Sequence, residues 1–101
     1  MQKTAILGSG ESGMGAAILA VKQGHQVWLS DAHAIPQSKI EVLNQLKINY
    51  EQGQHNLDKL TDADLVVKSP GIPDDAEVIK YLISKNIPVI SEIEFGYQHT
   101  D

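Results

Sequence analysis

Short apolar runs alternate along this chain with longer stretches that repeat apolar residues every three or four positions. Lys3 to Leu7 is mostly apolar and predicts a strand, and Ser12 to Lys22 carries Met14, Ala17, Ile18 and Val21 at helical spacing before Gly24 stops it. Gln26 to Ser30 is rich in strand formers and ends at Asp31, after which Ala32 to Pro36 reads as a loop. A second helix is predicted from near Ser38, with Ile40, Leu43 and Leu46 on its stripe. Ile48 to Glu51 predicts a short third strand that ends at Gly53, and a weak helical turn follows at Leu57 to Leu60. Asp64 to Lys68 is the clearest buried strand, and it runs into Ser69 to Pro73, a loop whose two prolines forbid regular pairing. Asp75 to Lys85 sets Val78, Ile79, Leu82 and Ile83 on one helical face. Pro88 to Ser91 predicts a fifth strand, and Glu92 opens an acidic last helix that includes Phe95.

Strands that alternate with helices at this spacing predict an α/β fold. The expected form is a Rossmann-like, doubly wound parallel sheet of five strands in the order 3-2-1-4-5, with right-handed crossovers and helices on both faces. Ligands of such sheets bind beyond the carboxyl ends of the strands, where strand order reverses. Here the switch lies between strands 1 and 4. Three segments converge on that rim: the loop Gly8 to Gly13 after strand 1, Asp31 at the end of strand 2, and Ser69-Pro70-Gly71 after strand 4.

The loop after strand 1 reads Gly8-Ser9-Gly10-Glu11-Ser12-Gly13. Glycines at this spacing also punctuate strand-helix turns for steric reasons alone. Set between a strand and a helix, with Asp31 further on, they point to a diphosphate held by the first free N–H groups of the helix. Gly8 and Gly10 would hold the turn and Gly13 would let the helix pack on the sheet, while Ser12 offers an N–H and a hydroxyl. Glu11 fits less well, because a carboxylate repels a phosphate, so its side chain is expected to point outward or to find a cation. Asp31 has two readings: acceptor for a ribose hydroxyl or base edge, or a loop aspartate that caps local N–H groups. The Ser69 to Pro73 segment is either a rigid turn or a pocket wall on which Gly71 lets a flat base lie against bare backbone.

Length and composition narrow the picture. One hundred and one residues suit a single domain, residues 1–101, that buries its own core. No cysteine is present, so neither a disulfide framework nor a thiolate metal site is available. A formal charge of −5 argues against nucleic acid as a partner. Nothing resembles a signal peptide or a membrane span, and a soluble cytoplasmic protein is expected. The histidines His25, His33, His55 and His99 are scattered, no phosphate-loop lysine motif occurs, and no catalytic or metal-binding residue is predicted.

Three segments taken together resemble a known family. Ile6-Leu7-Gly8-Ser9-Gly10-Glu11-Ser12-Gly13, Lys68-Ser69-Pro70-Gly71-Ile72-Pro73 and Ile90-Ser91-Glu92-Ile93-Glu94-Phe95 occur in the order found in the N-terminal domain of Mur ligases, the UDP-N-acetylmuramoyl-L-alanine:D-glutamate ligases in particular. The resemblance covers essentially the whole chain. It implies a domain that recognises the UDP part of a nucleotide-sugar substrate in peptidoglycan precursor synthesis, with no cofactor of its own. ATP, Mg²⁺ and D-glutamate would be handled by a central ATPase domain and a C-terminal domain beyond these residues, where ATP activates the lactyl-peptide carboxylate for attack by the D-glutamate amine. The isolated chain is then expected to bind and not to catalyse, and to be a monomer. Position by position, the resemblance places Gly10, Glu11, Ser12 and Gly13 at the diphosphate. Asp31, Ala32 and His33 fall beside the uracil and ribose, and Ser69, Pro70, Gly71 and Ile72 form the opposite wall. The sequence departs from the family pattern at Glu11, where an apolar residue is common, and at Ala32 and His33, where hydroxyl or basic residues are common. The alternatives are a nicotinamide-dinucleotide domain of an oxidoreductase, with Asp31 on a ribose, and a stand-alone nucleotide-sensing module.

Overall fold

Side chains alternate between the two faces of a strand, and here both faces are apolar, which is the signature of a parallel sheet covered on both sides. The computed structural model describes residues 1–99; the expected domain end at Asp101 lies outside the described residues. Five strands, β1 (Lys3–Leu7), β2 (Gln26–Asp31), β3 (Asn49–Gln52), β4 (Leu65–Lys68) and β5 (Val89–Ser91), alternate with helices α1 (Glu11–Lys22), α2 (Gln37–Gln45), α3 (Leu57–Thr61), α4 (Glu77–Ser84) and α5 (Glu92–Gln98). All pairings are parallel and the order is β3-β2-β1-β4-β5, as the alternation predicts.

Period-two alternation divides the core. Ile6, Val27, Leu29 and Val67 point to the side covered by α1, α2 and α5, where Met14, Ala16, Ala17, Ala20, Leu43 and Phe95 complete one cluster. Ala5, Leu7 and Val66 point to the other side, against Leu60 of α3 and Ile79 and Leu82 of α4. Burying each large side chain contributes about 1.5–3 kcal/mol, so the central strands and their covering helices carry most of the stability.

The helices differ from the sequence expectation in how they are turned. Ile18 and Val21 of α1 are only partly buried, whereas the small residues Gly13, Ala16, Ala17 and Ala20 meet the sheet. Small side chains let the helix axis come close, and that closeness is what sets the start of α1 over the end of β1. Ile83 of α4 is 59% exposed and lies outside the buried pair Ile79 and Leu82, so that helix buries a narrower face than its apolar stripe suggests. The Ser91 hydroxyl accepts a hydrogen bond from the Glu94 N–H and caps α5, and Phe95 is fully buried. Two residues of the Ser-Glu-Ile-Glu-Phe segment therefore serve the packing of α5.

Candidate functional site

The glycine loop owes its shape to two residues that no other side chain could replace. Gly8 has φ of +104°, a region that L side chains rarely adopt, and its N–H donates to the Ser30 carbonyl at 2.8 Å, extending the β1–β2 pairing into the loop. A Cβ on Gly13 would sit 2.1 Å from the Gly8 carbonyl oxygen, so only glycine allows α1 to start this close to β1. Gly10 is different: its φ is −65° and a Cβ there would meet nothing within 4 Å. It stands at the helix N-cap with no side chain capping the first turn. The N–H groups of Glu11, Ser12 and Gly13 thus open toward the space above Gly10, and the helix dipole makes that space attractive to an anion. Glu11 is exposed and forms no ion pair among the described residues, which agrees with an outward-pointing carboxylate.

Asp31 holds the loop in place. Its Oδ2 accepts from the Ser9 N–H at 2.9 Å and from the Ser9 hydroxyl at 2.5 Å, and its Oδ1 accepts from the His33 N–H at 2.9 Å. Burial by itself raises the Asp31 pKa, but the hydrogen bonds from Ser9 and His33 outweigh it and hold the carboxyl below its ordinary value. The capping role is therefore fully formed before any ligand is considered. Ala32 and His33 are exposed on the same loop, and the Gly53 N–H ties that loop to the end of β3 by donating to the carbonyls of Asp31 and His33.

On the other side of β1, the Ser69 N–H donates to the Leu7 carbonyl at 3.2 Å, and the Ser69 Cβ lies 3.2 Å from the place a Gly8 Cβ would take. Pro70 and Gly71 are exposed, and Ile72 is half-buried behind them. Lys68 braces this wall from below: its Nζ donates to the Ile72 carbonyl at 2.9 Å and pairs with Asp74 at 3.0 Å.

Between these loops runs a cleft of about 300 Å³ lined by Gly8, Ser9, Gly10, Asp31, Ala32, His33, His55, Ser69, Gly71 and Ile72. It takes in seven of the eleven residues expected at the site, Gly10, Asp31, Ala32, His33, Ser69, Gly71 and Ile72, and adds Gly8, Ser9 and, after β3, His55. A smaller cavity of about 80 Å³ lies at the amino ends of the strands, beside Lys3, Gln26 and Trp28. The carboxyl-end cleft is the more credible ligand site, because it has the room and meets the open helix terminus. Of the predicted residues, Glu11, Ser12 and Gly13 sit at the start of α1 and Pro70 on the crest of the wall, next to the lining and outside it.

Sequence reasoning missed two residues here. His55, one of the scattered histidines of the sequence, follows β3 on the same rim, and the rule that points to Asp31 and Ser69 points to it as well. Lys39, in the first turn of α2, reaches the glycine loop and donates from Nζ to the Ser9 carbonyl at 2.7 Å. It brings a positive charge beside the diphosphate-type loop from 30 residues away, a contact that no local pattern signals. Among the described residues no group of three or more His, Asp or Glu could hold a metal ion.

Comparison with known proteins matches this geometry. Residues 2–91 fit the family described as Mur ligase MurD-like, N-terminal domain. The UDP-N-acetylmuramoylalanine–D-glutamate ligase of Cytophaga hutchinsonii is 51% identical over 98 residues, which is 97% of this chain and 22% of that protein. The enzyme of the same name from Christiangramia forsetii is 52% identical over 95 residues, 94% of this chain and 21% of the relative. The chain thus spans about a fifth of the length of the curated relatives it matches. Among solved structures, a murein peptide ligase from Psychrobacter arcticus superposes with a TM-score of 0.85 at 26% identity, covering 99% of this chain and 21% of that one. Strand order, the glycine loop, the proline-glycine wall and these matches agree, and the chain belongs to the Mur ligase family as a MurD-like N-terminal domain.

Proposed function

We propose that this chain is the UDP-recognition domain of an ATP-dependent, amide-forming ligase that adds D-glutamate to UDP-N-acetylmuramoyl-L-alanine. The observation that carries the reading is the cleft at the strand-order switch, open on one side to the uncapped start of α1 and closed on the other by Ser69 to Ile72, in a chain of this family. The diphosphate lies over Gly10 on the N–H groups of Glu11, Ser12 and Gly13. The uridine lies between Asp31, Ala32 and His33 and the wall of Ser69, Pro70, Gly71 and Ile72. ATP, Mg²⁺ and D-glutamate belong to further domains of the whole enzyme, so residues 1–101 act as a single binding domain without catalysis, as a cytoplasmic monomer. No helix of the described residues is long and apolar enough to cross a membrane.

The geometry of Asp31 counts against a dinucleotide. A carboxylate that reads both hydroxyls of a ribose needs two open acceptor sites, whereas the three loop donors on Asp31 leave about one of its four. Calorimetric titration with UDP, UDP-N-acetylmuramoyl-L-alanine and NADH tests the reading. Heat from the uridine ligands alone is expected; binding of NADH alone would overturn it in favour of an oxidoreductase domain.

A further inference from the structure

His55 lines the nucleotide cleft, and its ring is held by a chain of hydrogen bonds that begins on the sheet. Its Nδ1 is 2.6 Å from the Ser30 hydroxyl oxygen, which is 2.9 Å from Glu51 Oε2. Glu51 Oε2 also accepts from the Asn56 N–H at 2.7 Å and the Trp28 Nε1–H at 3.3 Å. Ser30 is fully buried and has one proton to give. Were that proton given to Nδ1, the Ser30 and Glu51 oxygens would face each other at 2.9 Å with no hydrogen between them. Given to the Glu51 carboxylate it forms a charge-assisted bond, and Nδ1–H then donates to Ser30, so both contacts are satisfied. This fixes the tautomer: Nδ1 carries the proton and Nε2 carries the lone pair. No partner for Nε2 occurs among the described residues, and it is not a buried orphan.

We propose that His55 reads the nucleoside, its Nε2 accepting a hydrogen bond from the uracil N3–H or the ribose 2′-hydroxyl. The inference rests on the uridine-nucleotide reading above. Phosphate oxygens only accept, so a neutral ring with a lone pair outward is suited to the nucleoside and not to the diphosphate. The groups that face the ring are Glu51 on β3 and Asp31 and His33 on the β2 loop. Burial pushes the His55 pKa below its ordinary value, more than the Glu51 and Asp31 charges lift it, and the acceptor form prevails at neutral pH.

The experiment titrates the 101-residue chain and its His55→Asn variant with UDP-N-acetylmuramoyl-L-alanine between about pH 5 and pH 8, a range that spans histidine ionisation and leaves the ligand's diphosphate ionised throughout. In the variant, the asparagine amide can donate to Ser30 in place of Nδ1, but nothing occupies the position of Nε2. The parent is expected to lose roughly tenfold in affinity on acidification, the worth of one hydrogen bond to the ligand. His55→Asn is expected to bind about tenfold more weakly at neutral pH, with a flat pH profile and an unfolding temperature close to the parent's. With 3-methyl-UDP and 2′-deoxy-UDP, the analogue that lacks the donor binds parent and variant equally. A variant that keeps the parent's affinity and pH profile overturns the inference while leaving the uridine reading intact. A parent that binds more tightly in acid, or full sensitivity of both analogues to the substitution, overturns it as well. Failure of every uridine ligand to bind the parent removes both.

Discussion

Glycines that look alike in the sequence do three different jobs. Gly8 supplies a positive φ, Gly13 supplies the absence of a Cβ against backbone, and Gly10 and Gly71 leave open surface where a ligand can come close. The difference can be measured. Gly13→Ala drives a methyl group to 2.1 Å from the Gly8 oxygen, so α1 must move off β1, and a loss of about 3 kcal/mol is expected in denaturant unfolding, the upper part of the overpacking range. A Cβ at Gly71 meets only the Ser69 hydroxyl at 3.9 Å. Gly71→Val should therefore leave the unfolding midpoint unchanged while weakening UDP by tenfold or more, because the side chain occupies the surface against which the base lies. Unchanged UDP affinity would remove Gly71 from the pocket. Asp31→Asn belongs with Gly13 as a structural change: it replaces acceptors of the Ser9 and His33 N–H groups by an amide that can satisfy only part of them. The expected cost is about 1–3 kcal/mol, read from unfolding curves at neutral pH.

At the scale of elements, strands and helices were legible because each writes a period into the chain: two for β4 with Val66 and Val67 on opposite faces, near 3.6 for α4 with Ile79 and Leu82. The rim was legible too, since topology alone sends the ends of β1, β2 and β4 to one side. What could not be read is how the rim is braced. Lys39 and Ser9 are distant in sequence, as are Ser30 and His55, and their meeting depends on how far α2 and the β3 loop lie over the sheet. The rotation of α1 was equally hidden, because its larger apolar residues Ile18 and Val21 yield the sheet to alanines only when the close approach at Gly13 is known. One brace carries a prediction. Lys39 bonds the Ser9 carbonyl from a helix that offers no ligand contact of its own, so Lys39→Met should change stability by less than about 1 kcal/mol, as expected for a single partly exposed donor. It should nevertheless weaken UDP several-fold and steepen the loss in salt-free buffer, where an uncompensated phosphate charge is felt most. Equal binding by parent and variant would mean that the cation only fastens the loop.

Across the whole molecule, two partly buried histidines sit at opposite ends of the sheet and tie its stability to pH. At the amino end, His25 Nδ1 meets the Thr4 hydroxyl at 3.0 Å and its ring packs edge-on to Phe95 and His99, which joins β1 to α5. At the carboxyl end, His55 is held by Ser30. Burial lowers both pKa values from the ordinary 6.5, helped at His25 by the nearby His99. A ring whose pKa is lower folded than unfolded takes up its proton more readily in the unfolded chain, so acid favours unfolding. The penalty is absent well above pH 6.5, grows as pH falls through that value, and levels off below the folded pKa. Asp31 acts later. Its lowered carboxyl pKa gives stability that is complete above the ordinary value of 3.8 and is lost as pH falls through the folded value. Thermal unfolding should accordingly show two descending steps on acidification, one beginning near pH 6.5 and one below pH 3.8. His25→Gln combined with His55→Asn should remove the first step and spare the second, whereas Asp31→Asn should spare the first and shrink the second to the part left by Asp62, whose carboxyl pKa is lowered by its hydrogen bond from Lys3. A parent whose unfolding temperature stays level from neutral pH to the foot of the histidine range would show that neither ring is buried as strongly as its packing implies.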